Sequence, residues 1–477
     1  MRQHLDDHSM PLFRRASQCK SSDFEASVGQ SGARRFFASP LSLARTTVAG
    51  FAVRLRQSAF ARNALYLTGI TGIERVAALI QTVLLARTLG ITEYGIYGLL
   101  FGTVGLVSSV MGLQMGLTAT VFVARYREGD KARAGAVIRY VMRFALIVSA
   151  VFLLAALPFA ALLAHWLFQS NGYRFVLSLG CLFVVASLLS GVQDGIAEGF
   201  EDFRAIALSR LLGAALTLAA IYPATARYGL DGALVVMLVG VVVKYVVLGV
   251  VVAAHRRRNA IPRRGGGVSF YGLIKDFSLP SMLVSLLYGA VMWCGTYLLS
   301  RQSAGFAAVA VVSVGLQWQG PITLVTNALG RVAVPVFSRH KSTGEIARSR
   351  EFRRKLLRFN GVAVFGVVAV LIACQRLILS LYGKDFRDGV LVFSLLLLAT
   401  IPKVLADVHM QELVGHGKVW RQLWLYAPML ASAAIGFVWL VPQWGGLGYA
   451  ATMLFAAAMF LLCVTFKGST PIEQRET

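Results

Sequence analysis

The sequence predicts an all-α polytopic membrane protein: twelve transmembrane helices in two pseudo-two-fold-related six-helix lobes around a central cleft. Three observations carry that expectation. Of 477 residues, 57% are hydrophobic and only 14% charged, and the apolar residues gather into twelve stretches of the roughly 20 residues that a helix needs to cross about 30 Å of hydrocarbon. The 47 Lys and Arg outnumber the 22 Asp and Glu, for a formal charge of +25. That excess concentrates in alternate gaps between the stretches, whereas a nucleic-acid-binding protein spreads it over a wet surface. Short segments also recur, in order, after about 215 residues. The alternation of a membrane barrel is absent, which leaves helices as the spanning structure.

Residues 1–60 are polar, with Ser and Arg and no sustained apolar period. They read as a disordered basic cytoplasmic tail, without the short apolar core and small-residue cleavage site of a signal peptide. The stretch Leu41–Phe60, with Arg45, Arg54 and Arg56 among apolar residues, has a second reading as an amphipathic helix lying on anionic lipid.

The first lobe is expected over 61–255. Span one (65–86) ends at Arg87, and span two (94–118) carries Gly112-Leu113-Gln114-Met115-Gly116, a GxxxG that reads as close helix packing. Arg125, Arg127, Lys131, Arg133 and Arg139 fill the next gap and place it in the cytoplasm. Spans three (143–168) and four (174–197) flank a gap marked by Arg174 alone, and spans five (205–225) and six (231–254) flank Arg227. Arg256, Arg257, Arg258, Arg263 and Arg264 open a Gly-rich cytoplasmic linker over 256–270.

The second lobe is expected over 271–467. Spans seven (278–300) and eight (305–335) flank Arg301; then Arg339, Lys341, Arg348, Arg350, Arg353, Arg354 and Lys355 mark the cytoplasm again. Spans nine (359–382) and ten (389–412) flank Lys384 and Arg387, and spans eleven (422–441) and twelve (446–466) precede a tail over 468–477. Both termini then face the cytoplasm. Cys19, Cys181, Cys294, Cys374 and Cys463 are scattered, suit neither a disulfide framework nor a zinc site, and read as inert core residues.

The repeat pairs Val121–Arg125 with Val336–Arg339, Arg143-Phe144 with Arg358-Phe359, Glu198–Arg204 with Val414–Arg421, and Gly229–Gly232 with Gly446–Gly448. Six spans per copy is even, so both copies enter the membrane in one orientation, with a pseudo-two-fold axis along its normal. A cleft between two such lobes is the usual place for a transported substrate.

The stretch Arg62-Asn63-Ala64-Leu65-Tyr66 through Ala86-Arg87-Thr88-Leu89-Gly90 and Glu93-Tyr94-Gly95 resembles the first two helices of the bacterial oligosaccharide flippases. These form the polysaccharide-biosynthesis branch of the multidrug/oligosaccharidyl-lipid/polysaccharide exporter (MOP) superfamily. Gly199–Arg204, Tyr228-Gly229-Leu230-Asp231-Gly232 and Leu381-Tyr382-Gly383-Lys384-Asp385-Phe386 fit the same family, and the likeness covers about residues 60–467. It implies a bacterial inner-membrane transporter, not an enzyme, that moves undecaprenyl-pyrophosphate-linked oligosaccharide from the cytoplasmic to the periplasmic leaflet for O-antigen, capsule or exopolysaccharide. It also implies no cofactor and no nucleic acid, with a polysaccharide polymerase and a chain-length regulator as candidate partners. Such a cargo needs a wet cleft with fixed cations for the pyrophosphate, a role that suits the planar, permanently charged fork of arginine.

Basic residues inside predicted spans are costly, on the order of 2.5–3.5 kcal/mol at the centre, so they face protein or water. Arg75 lies midway along span one beside Glu74; neighbours on a helix point about 100° apart, so at least one of them faces the cleft. Arg75 reads as a pyrophosphate contact or a gating residue, or as half of an interhelical ion pair. Lys244 reads as a cleft residue or as the partner of an acid on another helix. Arg331 reads as a cleft residue or as one that snorkels toward Arg339. Gln317, Gln319 and Asn327 share its span, with Pro321 expected to break the helix; they read as a wet face or as packing glue.

Lys403 and Asp407, four residues apart, read as an intrahelical pair or as an ion-responsive one, and Glu74 joins them as a candidate for gating or ion coupling. Arg376 reads as snorkelling, and Asp194 with Glu198 as a solvated face. No metal-ligating or catalytic constellation stands out, and no GxxxxGK[ST] phosphate loop occurs. Within transport the alternative is a multidrug/ion antiporter of the same superfamily, which favours acids in its cleft. A membrane glycan polymerase is a further alternative and calls for a sizeable periplasmic loop, whereas the predicted periplasmic gaps are all about ten residues or shorter.

Overall fold

The computed structural model describes residues 59–112, 115–262, 279–342, 346–415 and 419–468, and from Asn63 onward the chain forms one compact unit. Regular structure among the described residues is helical. The first half comprises α1 (Ala59–Gly112), α2 (Met115–Tyr126), α3 (Lys131–Ala156), α4 (Ala160–Phe168), α5 (Arg174–Gly199) and α6 (Phe203–Arg258). The second half comprises α7 (Leu279–Ser300), α8 (Gly305–Ser342), α9 (Ile346–Ala373), α10 (Gln375–Tyr382), α11 (Val390–Gly415) and α12 (Val419–Gly468). The tail reading for 1–60, Cys19 and the linker beyond Pro262 fall outside the described residues, apart from the start of α1.

Nine helical segments among the described residues are long and apolar enough to cross a bilayer. Three of them are too long for one crossing: Thr71–Gly112 has 42 residues, Phe203–Arg258 has 56 and Trp420–Phe466 has 47. Even 42 residues of helix extend about 63 Å, twice the hydrocarbon thickness. Each contains one glycine with positive φ and non-helical ψ: Gly90 (φ 78°), Gly229 (φ 57°) and Gly445 (φ 52°). Only glycine takes that conformation freely.

The chain folds back at each of these glycines. Across Gly90, Gly95 and Gly98 lie against Phe306 and Ser313, while Arg75 and Gly72 lie against Gly320 and Leu324. One limb of α1 therefore runs with α8 and the other against it. In α6, Gly213 packs on Gly240; in α12, Gly436 packs on Thr452.

The two halves repeat their irregularities. Expected span three is two helices, α3 and α4, followed by a 3-10 turn at Asn171–Tyr173 and then α5. Expected span nine is likewise two, α9 and α10, followed by a 3-10 turn at Lys384–Gly389 and then α11. The starts of α3, α5 and α6 recur as those of α9, α11 and α12 after about 215 residues, the spacing of the sequence repeat.

Two expectations need correction. α8 runs unbroken through Pro321. Thr323 Oγ1 donates to the Gln319 and Gly320 carbonyls, and Gln319 Nε2 donates to the Leu396 carbonyl at 2.8 Å. A proline here costs one intrahelical bond, the one to the Gln317 carbonyl, and does not end the helix. The cysteines are not uniformly core residues: Cys181 is buried, but Cys294 and Cys374 are exposed. The GxxxG packs as expected, since a Cβ on Gly116 would stand 2.9 Å from the Gly191 carbonyl and one on Gly195 2.1 Å from that of Gly116.

Asp202 closes the two ends of the α6 hairpin. Its Oδ1 accepts from Ala205 N at 3.1 Å as the helix cap, and its Oδ2 lies 2.6 Å from His255 Nε2. Burial alone would raise this carboxyl; the His255 hydrogen bond, the capped amide and the charges of His255 and Arg204 outweigh it and hold the group below its usual range. The contribution is therefore present above an unfolded-state value near 4 and is lost as pH falls. Asp202→Ala is expected to cost about 1 kcal/mol, read as a lower thermal midpoint at pH 7, and the gap to wild type should narrow below pH ~4. An equal gap at both pH values would remove this account.

Candidate functional site: a charge network and a sealed boundary

Three helices of the first half bring four charged side chains together. Arg210 on α6 reaches Glu74 Oε2 on α1 through Nη1 and Asp194 Oδ2 on α5 through Nη2, both at 3.4 Å. Lys244, on the returning limb of α6, closes on the same Asp194 oxygen at 2.6 Å. The four side chains are only 14–26% exposed. Asp194 Oδ1 and Arg210 Nε are buried without a hydrogen-bond partner among the described residues. One turn along α5, Glu198 accepts from Thr120 Oγ1 at 3.2 Å.

Lys244 thus takes the reading in which it pairs with an acid on a neighbouring helix. Asp194 and Glu198, expected as a solvated face, instead point into this network, because Arg210 and Lys244 stand on the two limbs of one hairpin beside them. Arg210 itself was missed. It lies inside expected span five but close to its start, where a basic residue reads as a topological anchor. Its depth past Ala205 was the available signal.

Arg75 stands apart. The side chain is exposed and has no ion pair among the described residues, since the adjacent Glu74 is committed to Arg210. A Cβ on Gly320 of α8 would stand 3.3 Å from Arg75 Nη1, so the guanidinium lies against bare backbone of the opposite half. For Arg331, the backbone is helical within α8 and its side chain falls outside the described residues, as does that of Asn327. Arg376 is exposed on α10. In the second half Lys403 Nζ meets Asp407 Oδ2 at 3.0 Å, the intrahelical pair, flanked by Tyr288 and Tyr426.

The halves meet away from the basic loops. Thr82 Oγ1 lies 3.2 Å from the Tyr382 hydroxyl, which also accepts from Trp318 Nε1 at 3.1 Å, and Arg87 Nε donates to the Leu381 carbonyl at 2.6 Å. Tyr94 packs edge-on against Tyr382 and Phe386. Arg301 donates to the Trp166 carbonyl and lies over the Tyr297 ring, which stacks with Trp166 and Trp293. Deeper in, Trp293 Nε1 donates to Thr103 Oγ1 at 2.9 Å.

One apolar core runs through both halves here, from Leu85 and Tyr97 to Val309, Phe393 and Tyr449. Toward the basic loops the core divides. Met115, Val137, Ile196 and Val252 cluster within the first half, and Ala333, Phe337, Leu356 and Val408 within the second. The two halves are therefore sealed together at one end and carry separate cores at the other.

A family model described as polysaccharide biosynthesis protein matches residues 60–341. Among curated proteins, the EPS I polysaccharide export inner membrane protein EpsE of Ralstonia nicotianae is 28% identical over 145 residues, 30% of this chain and 33% of that protein. The chain thus aligns with about a third of that relative's length. Among solved structures, an inward-facing multidrug resistance MATE family transporter of the MOP superfamily superposes with a TM-score of 0.71 at 15% identity, covering 85% of this chain and 97% of that one. A MOP superfamily transporter from Pyrococcus furiosus, described as having a binding pocket of reverse polarity, superposes with a TM-score of 0.61 at 14% identity, covering 85% and 95%. Both likenesses concern the fold.

Proposed function

The chain belongs to the polysaccharide biosynthesis protein family, and from that premise we propose that it is an inner-membrane flippase for lipid-linked oligosaccharide. Counted as two spans each, the three folded-back helices turn nine candidate segments into twelve, six in each lobe. The basic loops then face the cytoplasm, both termini with them. The sealed end is periplasmic, and the divided core opens a cleft to the cytoplasmic leaflet. Cargo enters there, and rocking of the lobes about the boundary releases it on the other side.

The observation that carries this reading is Arg75. Its neighbour Glu74 is held by Arg210, which leaves an exposed guanidinium at mid-membrane on the boundary between the halves. An unneutralised cation there is expensive, and a pyrophosphate would meet its donors in pairs. Arg331 is a second proposed pyrophosphate contact, while Lys244 acts through Asp194 rather than on cargo directly. Undecaprenyl pyrophosphate linked to sugar is the proposed cargo, supplied from the cytoplasmic face and consumed by a polymerase with its chain-length regulator outside.

In proteoliposomes carrying labelled lipid-linked glycan, Arg75→Ala is expected to slow translocation about 10-fold or more, the size of one lost charge-assisted contact of roughly 1.5–3 kcal/mol. Arg75→Lys should recover part of the rate. Movement of cationic dyes without movement of the glycan lipid sinks the flippase reading.

A second reading, a multidrug/ion antiporter, has its own support in the Glu74–Arg210–Asp194–Lys244 network. Two acids balance two bases there, and Asp194 keeps one oxygen unpaired among the described residues, a place for a proton or cation during exchange. Glu74 and the Lys403–Asp407 pair would serve as further coupling groups. Dye efflux driven by a proton or sodium gradient, abolished by Asp194→Asn, is the result that separates it from the first.

A further inference from the structure

At the basic end of the first half lies a cavity of about 350 Å³ between α3, α5 and α6, away from the boundary with the second half. Four guanidinium groups line it: Arg139 and Arg143, four residues apart on one face of α3, with Arg256 and Arg257 at the end of α6. Arg143 and Arg257 are exposed at its rim, while Arg139 and Arg256 are half-buried and hold interactions within the protein. No carboxylate is among the lining residues.

Its inner wall carries a second, independent feature. Gln193 of α5 is 6% exposed, and its Oε1 has no hydrogen-bond partner among the described residues. A buried amide oxygen without a donor costs on the order of 1–3 kcal/mol. A Cβ on Gly249 would stand 3.0 Å from Gln193 Nε2, so this lining glycine lets α6 pack directly against the amide at the cavity wall. Next to Gln193 in sequence, Asp194 points to the charge network instead, about 100° around α5.

We propose that this cavity binds the headgroup of an anionic phospholipid, with the phosphate on the arginines and a headgroup hydroxyl on Gln193. A glycerol phosphate presents both groups and fits the volume. Planar guanidinium forks pair with phosphate oxygens, and basic pockets between transmembrane helices hold anionic headgroups on the cytoplasmic side. The lipid source, rather than a soluble phosphate, follows from the helix faces beyond the rim. Ile147 and Val151 on α3 are 63% and 61% exposed, and Val246 and Val250 on α6 are 54% and 67% exposed. These apolar side chains continue toward mid-membrane from the arginines, where acyl chains would lie.

The full-length protein, purified from nanodiscs of phosphatidylglycerol and phosphatidylcholine in equal parts, would be examined for co-retained lipid by native mass spectrometry. Wild type is expected to retain phosphatidylglycerol about 10-fold over phosphatidylcholine, and Arg143→Gln with Arg257→Gln to abolish that preference. Gly249→Leu, which fills the cavity without changing a charge, is expected to abolish it as well and stands in if the arginine variant fails to fold. Equal retention by wild type and a folded variant overturns the proposal. So does stabilisation of lipid-free wild type by millimolar glycerol phosphate to the extent that phosphatidylglycerol achieves, since that assigns the cavity to a soluble anion. Binding is read without transport, so the outcome is independent of the cargo.

Discussion

Replacing Arg210 by alanine is expected to produce the largest loss of any single charge change in this protein. Among the described residues Arg210 is the cation that touches both acids, at 3.4 Å to Glu74 and 3.4 Å to Asp194. Its removal leaves Glu74 without an ion-pair partner among the described residues and Asp194 with Lys244 alone. Breaking a buried ion pair by deleting one partner costs about 3–5 kcal/mol, because the stranded charge remains desolvated. Arg210→Ala should therefore lower the thermal midpoint in detergent and the yield of monodisperse protein. Transport should fall with them, since α1 carries Arg75 next to Glu74.

The double change Arg210→Gln with Glu74→Gln is the informative control. It removes one charge of each sign and leaves the Asp194–Lys244 pair intact, so it should recover most of the stability. If the single variant is as stable as wild type, or the double variant is as damaged as the single, the network is not the structural keystone inferred here.

The second large effect is steric. A methyl group on Gly95 would stand 1.8 Å from the Phe306 carbonyl oxygen and 2.5 Å from its carbon. These are backbone atoms of the opposite half and cannot swing aside as a side chain can. One helical turn on, a Cβ on Gly98 would meet Ser313 Oγ at 2.3 Å. Gly95→Ala should therefore part the halves at the sealed end. Overpacking typically costs 1–3 kcal/mol, and each 1.4 kcal/mol is tenfold in a population, so the sealed state should lose about 10- to 100-fold. Paired spin labels at the exposed residues Arg174 and Lys384, in a background without native cysteines, would report longer distances. An unchanged distance distribution in a folded variant would show that the contact is not what closes this end.

Much of the fold was legible because hydrophobic length and loop charge are local properties. The spans, their order and the repeat could be read one segment at a time. The breaks were less legible: Pro158 and Cys374 lie near the breaks in expected spans three and nine, yet neither interrupts the apolar run. Pro321, the residue most expected to break a helix, sits in an unbroken one, because a proline removes a single intrahelical bond, the one to the Gln317 carbonyl, and the rest of α8 is intact.

The site was legible only in part, for a physical reason. Arg75 and Lys403–Asp407 announced themselves by sitting deep in apolar sequence. The partners of Lys244 and Glu74 did not, because Asp194 and Arg210 come from other helices and lie near span ends, where charge is cheap and unremarkable. Gly95 resembled any small residue in a membrane helix until Phe306 was found against it.

The single-residue turns at Gly90, Gly229 and Gly445 bear on how the chain is made. A hairpin that reverses at one glycine has only a short loop to push through the bilayer, so its two limbs suit insertion as one unit. For α6 the order of synthesis matters as well. Asp194 on α5 is made first, then Arg210, and the turn at Gly229 delivers Lys244 last. Each new cation thus finds its carboxylate already waiting, and neither limb has to hold a bare charge in lipid while the ribosome finishes the rest.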